Sequence, residues 1–572
     1  MLSFDYVVVG AGSAGCLLAN RLSADPSKTV LLIEAGGKDD WVWIKIPVGY
    51  LFTIANPRTD WCFKTQSDPG LAGRSIHYAR GRVIGGCSSI NAMIYMRGQA
   101  SDYDRWAEAI GDEKWRWGTA ESGQTLSTYM GLEDYFAGAD DWHGSGGEMR
   151  VERPRVRWPI LDAWRAAAAQ TGIASVEEFN RGDNAGCAYF HVTQRRGRRW
   201  SMADAFLHPI AKRPNLTVWT HSHALKLLFK ANTYPANEAP PQAWSQARQR
   251  AIGLRLLKDN QLIDVFANRE LILSAGSIGS VQLLEASGVG AARVLSGLQI
   301  PVVLDQPAIG ENLQDHLQIR TVYKIKGAKT VNSLYKNPLT RLGMGLEYAL
   351  FRTGPLTMPP STLGAFAKSQ PSLASPDLEW HVQPLSLPKF GEPLHPFDAI
   401  TPSVCNLRPS SRGSVHIQHP ETLAAPKIQC NYLSTEDDIN ASVRGLEMTR
   451  AIMRGHALAR FDPEEFLPGT AVQTTEELAQ AARELGTTIF HPVGTCAMGT
   501  VLDSDCRLRG IAGLRVVDAS AMPLITSGNT NAPVMLIAQR AAESIVRDNS
   551  VYESTSSASA LQAAPRPSSR FQ

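Results

Sequence analysis

Two side chains near the C-terminal end have the types that alcohol chemistry needs. His491 lies in TIFHPVG and Asn529 in SGNTNAP. An imidazole titrates near neutrality and can take a proton from a hydroxyl at working pH. An amide does not titrate, but its N–H can donate to the oxygen that has been stripped. Gly, Pro and small residues around both allow close approach of backbone to a ligand. A histidine followed by Pro and Gly is more often a packed loop residue than a catalyst, so the pair gains meaning only if the chain also holds an oxidant.

The elements that would position such an oxidant stand at the other end. Asp5 to Val9 is a β-branched and aromatic run, as in a buried parallel strand. It leads directly into Gly10-Ala11-Gly12-Ser13-Ala14-Gly15, followed by Leu17, Leu18 and Leu22 at helical spacing. A second apolar run, Thr29 to Ile33, ends on Glu34 and Ala35. Strand, G-x-G-x-x-G, helix, strand and acidic residue form the dinucleotide fingerprint in its full context. Pyrophosphate would rest on the helix N-terminus, and Glu34 would accept from ribose hydroxyls. This pattern does not choose between a nicotinamide and a flavin.

Further motifs make that choice. They are GRVIGGCSSINAMIYMRG from Gly81, GSIGSVQLLEASGVG from Gly276, GENLQDH from Gly310, LRPSSRGSV from Leu407, and the block holding His491 and Asn529. In this order they resemble the glucose–methanol–choline (GMC) family of FAD-dependent oxidoreductases, and most closely its bacterial alcohol and choline dehydrogenase-like members. The resemblance spans about residues 4 to 547. It implies an α/β and α+β fold, in which a Rossmann-like FAD-binding domain is interleaved with a substrate domain of antiparallel sheet plus helices. Residues 1–160, 215–312 and 485–548 would bind FAD, while 161–214 and 313–484 would form the substrate side.

Carried over residue by residue, the resemblance makes His491 the general base and Asn529 its partner in oxidising an alcohol by hydride transfer to flavin N5. It adds Trp61, Arg82, Gly85, Gly86, Asn91, Ala92, Ile94, Ala224, Asp518, Ala519 and Thr530 to the cofactor residues of the fingerprint. Ile90 stands where some choline-oxidising relatives attach FAD through histidine. An isoleucine has no nucleophilic nitrogen, so non-covalent FAD is expected. The donor would be an uncharged primary alcohol, aliphatic or aromatic, and the electron acceptor oxygen or a quinone- or dye-like compound. Lyase chemistry on the same scaffold, hydroxynitrile cleavage or light-driven fatty-acid decarboxylation, is the alternative; His491 argues against the second.

Composition limits the partners. The 572 residues suffice for ~2 to 4 domain-sized units. With 57 basic against 54 acidic residues the net charge is +3, which gives no reason to expect nucleic acid. Eight cysteines without a C-x-x-C pair argue against a disulfide scaffold or a zinc ribbon. MLSFDYVVVG has no basic leader, and no apolar run is long enough to span a membrane. These features together point to a cytoplasmic protein.

Weaker signals complete the reading. His221 and His223 alternate on an expected strand and would share a face, yet no further ligand joins them locally, so no metal is expected. QRRGRRW (194–200) reads as a solvated loop before a helix capped by Ser201. Residues 231–250 read as an inserted mobile hairpin loop, 353–366 as a mobile loop at the cavity mouth, and 549–572 as a disordered tail. Trp380, Phe390 and Phe397 fall in the substrate region, where aromatic residues are more often core.

Overall fold

The computed structural model describes residues 2–118, 124–232, 244, 246–389 and 391–562. Two large sheets organise it. In the first, strands run in the order Leu216–Trp219, Val30–Ile33, Leu2–Val9, Gln261–Leu273, Gln249–Lys258, Ser222–Ala231. The first four are mutually parallel, with Val7 opposite both Leu31 and Leu271, and the last two turn antiparallel. Tyr6 to Val9 and Val30 to Ile33 are buried, as the unbroken apolar runs require of a parallel sheet covered on both faces. Late in the chain, Leu514–Val516 adds in parallel beside Leu271–Leu273.

The helix Ser13–Leu22 makes the crossover between Leu2–Val9 and Val30–Ile33. It packs on the final helix, Asn531–Gln562. That helix extends past Asp548 into the stretch expected to be disordered. No Gly or Pro occurs between there and Pro565, so nothing interrupts its backbone ladder. Residues 563–572 lie outside the described residues.

The second sheet is antiparallel. Its order is Glu464–Leu467, Val322–Lys324, Ala399–Asn406, Leu378–Gln383, Leu363–Ala367, Gly186–Tyr189, with Leu317–Arg320 bridging Ala399–Asn406 and Gly486–Thr488. The last strand of this sheet, Gly486–Thr488, ends just before His491. The helix Glu436–Met453 covers one face. Strand periodicity sorts Leu378–Gln383 cleanly. Trp380 turns to that helix, its indole donating to Thr449 Oγ1 at 2.8 Å, whereas His381 and Gln383 line the central cavity. Trp380 is thus core, and Phe397 stacks on His395 away from the cavity lining. Phe390 lies outside the described residues.

Two local expectations change, and a third falls largely outside the described residues. His221 sits between two strands with φ +52°, so the chain breaks there and the alternation with His223 does not hold. The segment 353–366 is packed: Thr357, Met358 and Thr362 are fully buried and Leu363–Ala367 is a strand. Its adjacent prolines stiffen a wall rather than a loose loop. Of the insertion, 233–243 and 245 lie outside the described residues. Its distal side is anchored, with Trp244 buried against Ala512 beneath the guanidinium groups of Arg507 and Arg515.

Candidate active site

Between the two sheets lies a cavity of ≈ 2040 Å³, its open mouth included. At its dinucleotide end three helices present their N-termini, at Ser13, Gly276 and Asn531, and all three residues line the cavity. Unpaired backbone N–H groups and aligned dipoles there suit an anionic linker. Gly10 has φ +101°, and a Cβ on it would come within 2.5 Å of the Ser274 carbonyl oxygen. Gly86, at φ +53°, lies so near Gly12 that a Cβ would stand 2.7 Å from its Cα. Both positions therefore require glycine.

Glu34 is buried, with one carboxylate oxygen accepting from Ala11 N at 3.0 Å and the other from Gly36 N at 2.8 Å. Burial pushes its carboxyl up to about 7, against the lowering by these two bonds. Trp61 stacks on Phe63, meets His223 edge-on, and lies 4.8 Å under the Arg82 guanidinium, closing the far end with Ala224. Asp518 accepts from Gly276 N, Ser280 Oγ and Ser520, which fixes the helix start at Gly276.

Of the residues expected from sequence, Gly10, Gly12, Ser13, Ala14, Glu34, Ala35, Trp61, Gly86, Asn91, Ala92, Ile94, Ala224, Asp518, Ala519, Thr530, His491 and Asn529 all line this one cavity. Gly15, Arg82 and Gly85 do not. A Cβ on Gly15 would strike the Gly10 carbonyl oxygen, so its place is helix–strand packing. Gly85 donates its N–H to Ala11 O at 2.7 Å and holds the neighbouring loop against the fingerprint turn. Ile90 lines the cavity as well.

The arginine-rich stretch 194–200 corrects its expectation. Gln194–Arg195 and Arg198–Arg199 pair as a tight hairpin, and Arg199 is fully buried. Its guanidinium donates to Ile44 O, Ser88 O, Asn91 O and Asn91 Oδ1 at 2.7–3.1 Å, clamping the loop that carries Asn91 and Ala92. Burial lowers its pKa to about 9, partly offset by Asp204. Ser201 does cap the following turn, accepting from Asp204 N at 3.2 Å.

At the other end, His491 follows a turn with Phe490 at φ +69°. Asp315, the aspartate of GENLQDH, holds that turn. Its Oδ1 accepts His491 N at 2.8 Å, and its Oδ2 accepts from Thr488 Oγ1 at 2.6 Å and Tyr78 OH at 3.0 Å. Gln314 of the same motif binds Pro523 O and Ile525 N, and Asp102 binds Ser527 N and Oγ, which together position Asn529.

The imidazole of His491 lies between two partners. Its Nδ1 is 3.0 Å from His316 Nδ1, and its Nε2 is 3.2 Å from Asn529 Nδ2. His316 Nε2 faces the Leu407 carbonyl at 3.1 Å, which can only accept. His316 is therefore protonated on Nε2 and accepts at Nδ1. His491 must then carry its proton on Nδ1 and turn the Nε2 lone pair toward Asn529 and the cavity. Burial, followed by the nearby His316, His381 and Arg80, holds the His491 pKa well below the ordinary 6.5. The result is a neutral base aimed at the cavity. Nothing in local sequence spacing assigned this part to His316; its signal was only its place at the end of GENLQDH.

Residues beyond the expected set form the remaining wall: Ile54, Gln318, Ser361, His381, Gln383 and Phe490. Behind it Glu379, His381 and Cys405 bring carboxylate, imidazole and thiol within 4.8 Å of one another, a consequence of the Glu379–Cys405 strand pairing that sequence does not reveal. Several polar atoms of lining residues are buried without a partner among the described residues: Ser274 Oγ and His223 Nδ1 toward the dinucleotide end, and Asn529 Oδ1 beside the base. Such atoms call for a ligand or water. With the three helix N-termini, the glycine cradle and Glu34, they fit a flavin dinucleotide, which these residues would hold.

Comparison with known proteins agrees. The family models for the N- and C-terminal parts of GMC oxidoreductases match residues 4–318 and 409–538. The chain is 38% identical to an alcohol dehydrogenase (acceptor) of Pseudomonas putida over 95% of its length and 96% of the relative's. It is 36% identical to the mitochondrial choline dehydrogenase of Homo sapiens, covering 95% and 89%. The crystal structure of pyridoxine 4-oxidase from Mesorbium loti superposes with a TM-score of 0.82 at 32% identity, over 95% of this chain and 99% of that one. The protein belongs to the GMC oxidoreductase family, FAD-dependent enzymes acting on the CH–OH group of alcohols.

Proposed function

We propose that this member oxidises an uncharged primary alcohol, aliphatic or aromatic, to its aldehyde, with His491 as general base and Asn529 as the alkoxide donor. FAD, when bound, supplies the hydride acceptor. His491 Nε2 takes the hydroxyl proton, and Nδ1 stays donated to His316 throughout. Asn529 Nδ2 is near enough to Nε2 to donate to the oxygen as its proton leaves. The observation that carries this reading is the Leu407–His316–His491 hydrogen-bond chain, which leaves a lone pair of the base directed into the cavity.

The neutrality of the substrate rests on the lining. Its two carboxylates, Glu34 and Asp518, are engaged by backbone at the dinucleotide end, whereas Gln318, Ser361, His381 and Gln383 stand near the base. A quaternary ammonium would meet amides and hydroxyls there rather than a carboxylate or an aromatic cage. Residues 1–160, 215–312 and 485–548 are assigned to cofactor binding, and 161–214 with 313–484 to the substrate side. FAD is held without a covalent bond, because the lining offers isoleucine at position 90. Electrons pass on to oxygen or to a quinone- or dye-like acceptor. All eight cysteines are free thiols, which supports a reducing, cytoplasmic setting.

Anaerobic titration of the yellow protein with a panel of alcohols tests this. Bleaching by a neutral primary alcohol supports the reading, and the rate of colour return on aeration separates oxidase from dehydrogenase. Bleaching by choline alone, or by none of the panel, refutes it.

A further inference from the structure

The helix Pro338–Phe351 departs from the usual link between helical periodicity and burial. Leu339, Leu342, Leu346 and Leu350 recur at spacings of three and four, which brings them onto one face. That face is open to solvent: the four leucines are 78, 61, 54 and 70% exposed. Phe351 and Tyr335 are also exposed and extend the patch at either end. The opposite face is anchored by the buried Met344 and Tyr348. Four leucines on one exposed stripe are far more than the scattered apolar residues of an ordinary surface.

Basic residues lie at both ends of this helix. At its C-terminal end lies the hairpin of Arg195, Arg196 and Arg198, all exposed, joined to the helix by Tyr348 OH donating to Gly197 O at 3.1 Å. Arg155 reaches the Arg352 carbonyl there, and Arg352 lies over the Tyr348 ring. At the N-terminal end Lys336 and Arg341 are exposed. The neighbouring acids are engaged: Glu152 by Arg150 and the backbone of Arg196, and Glu347 by Thr353 Oγ1.

The chain runs from this helix into the cavity wall. Beyond Arg352 the chain turns through Pro355–Thr357, where Leu356 packs on the cluster of Val48, Tyr50, Ile54 and Ala79. Pro360 and Ser361, a few residues on, line the cavity together with Ile54 and Ala79.

We propose that this face docks on an anionic lipid bilayer, its leucines entering the boundary between headgroups and acyl chains and its arginines pairing with lipid phosphates. An apolar stripe with basic residues at both ends is the chemistry of a helix lying in the plane of a membrane interface. No described helix is long and apolar enough to cross a membrane, so the attachment is peripheral. A second copy of the chain is a poorer occupant. Whether two such helices meet parallel or antiparallel, basic ends face basic ends. Docking sets the helix that leads into the cavity wall against the bilayer, where apolar alcohols and acceptors concentrate; this last consequence rests on the alcohol-oxidising reading, the docking itself does not.

The test is flotation of the FAD-loaded full-length protein with vesicles of phosphatidylcholine alone or mixed with phosphatidylglycerol. The parent is expected to float with the mixed vesicles, less as salt is raised, and weakly with phosphatidylcholine alone. Leu342→Glu/Leu346→Glu should lose at least ~10-fold in vesicle affinity. Arg195→Glu/Arg198→Glu should lose the salt-sensitive part. Both pairs are surface changes, and an unaltered bound-flavin spectrum certifies the fold of each. The proposal is overturned if the parent does not float with the mixed vesicles at low salt, or if the double leucine variant floats as well as the parent. It is equally overturned if sedimentation shows a self-associated parent that the leucine substitutions split while neither form binds vesicles, which assigns the face to a second copy.

Discussion

The Nδ1 atoms of His316 and His491 stand 3.0 Å apart, and the Leu407 carbonyl behind His316 decides which of them donates. His316 thus acts through His491 rather than on the substrate. Replacing it with alanine lets the His491 ring choose either tautomer. We expect His316→Ala to lower the anaerobic rate of flavin reduction by ~10- to 100-fold, the usual size of such outer-shell effects, with KM and bound FAD little changed. The His491 acid limb should also move toward higher pH, because a neighbour that lowers its pKa is gone. A rate within about twofold of the parent and an unmoved pH profile would remove His316 from control of the base.

Loss of the base itself should be more severe. His491→Ala is expected to retain FAD and to reduce it at least ~100-fold more slowly, and Asn529→Ala to lose ~10- to 1000-fold. Stopped-flow reduction under nitrogen measures both. Parental rates in either variant would leave the proposed chemistry without its carrier.

The pH dependence follows from the direction of the His491 shift. Its folded pKa lies below 6.5, so the ring is already neutral at pH 6.5 and the acid limb of flavin reduction should fall below that value. The sign for stability is the same. An unfolded chain takes up a proton at this histidine below pH 6.5 that the native state refuses, so this residue's contribution is lost as pH falls from 6.5. A reduction rate that halves on going from pH 8 to about pH 7 because of His491 protonation would contradict the burial argument.

Arg199→Leu should strip four acceptors of their buried donor, Ile44 O, Ser88 O, Asn91 O and Asn91 Oδ1. At ~1–3 kcal/mol for a buried polar group left unpaired, the loss should reach several kcal/mol and lower both Tm and the FAD content of the purified protein. Arg199→Lys cannot reproduce the planar fork and should recover only part. Thermal melts with the ratio of flavin to protein absorbance check this; an unchanged ratio in the leucine variant would show that the Asn91 loop holds itself.

Acid precipitation should leave the FAD in the supernatant, since the lining residue at position 90 is isoleucine. Yellow protein in the washed pellet would mean attachment through some other side chain.

Legibility in the sequence followed the range of the interaction. The fingerprint turn was readable because local backbone geometry specifies it; Gly86 and the His491–Asn529 pair came from the family resemblance, and the structure brings them to the same cavity. The Arg199 clamp was not, since a guanidinium satisfied by carbonyls looks in sequence like any surface arginine. His221 and His223 seemed to share a face only while the strand was taken as unbroken; the left-handed turn at His221 ended that. The wall of Gln318, His381 and Gln383 required the pairing of strands far apart in the chain, which no local window contains. The leucines of Pro338–Phe351 were silent for the opposite reason, because helical spacing of leucine ordinarily signals a buried face.

The strand Leu514–Val516 and the helix from Asn531 complete the sheet that Leu2–Val9 begins, with Ser13 Oγ donating to Asn531 Oδ1 at 2.7 Å and Arg21 Nε to Gln539 Oε1 at 2.8 Å. During synthesis, then, the first helix emerges long before the surface meant to cover it. At ~5–20 residues per second its apolar side waits on the order of half a minute or longer. Through most of translation the nascent chain exposes apolar surface of the kind that aggregates, and a product truncated before the last strand lacks the elements that complete its nucleotide-binding half.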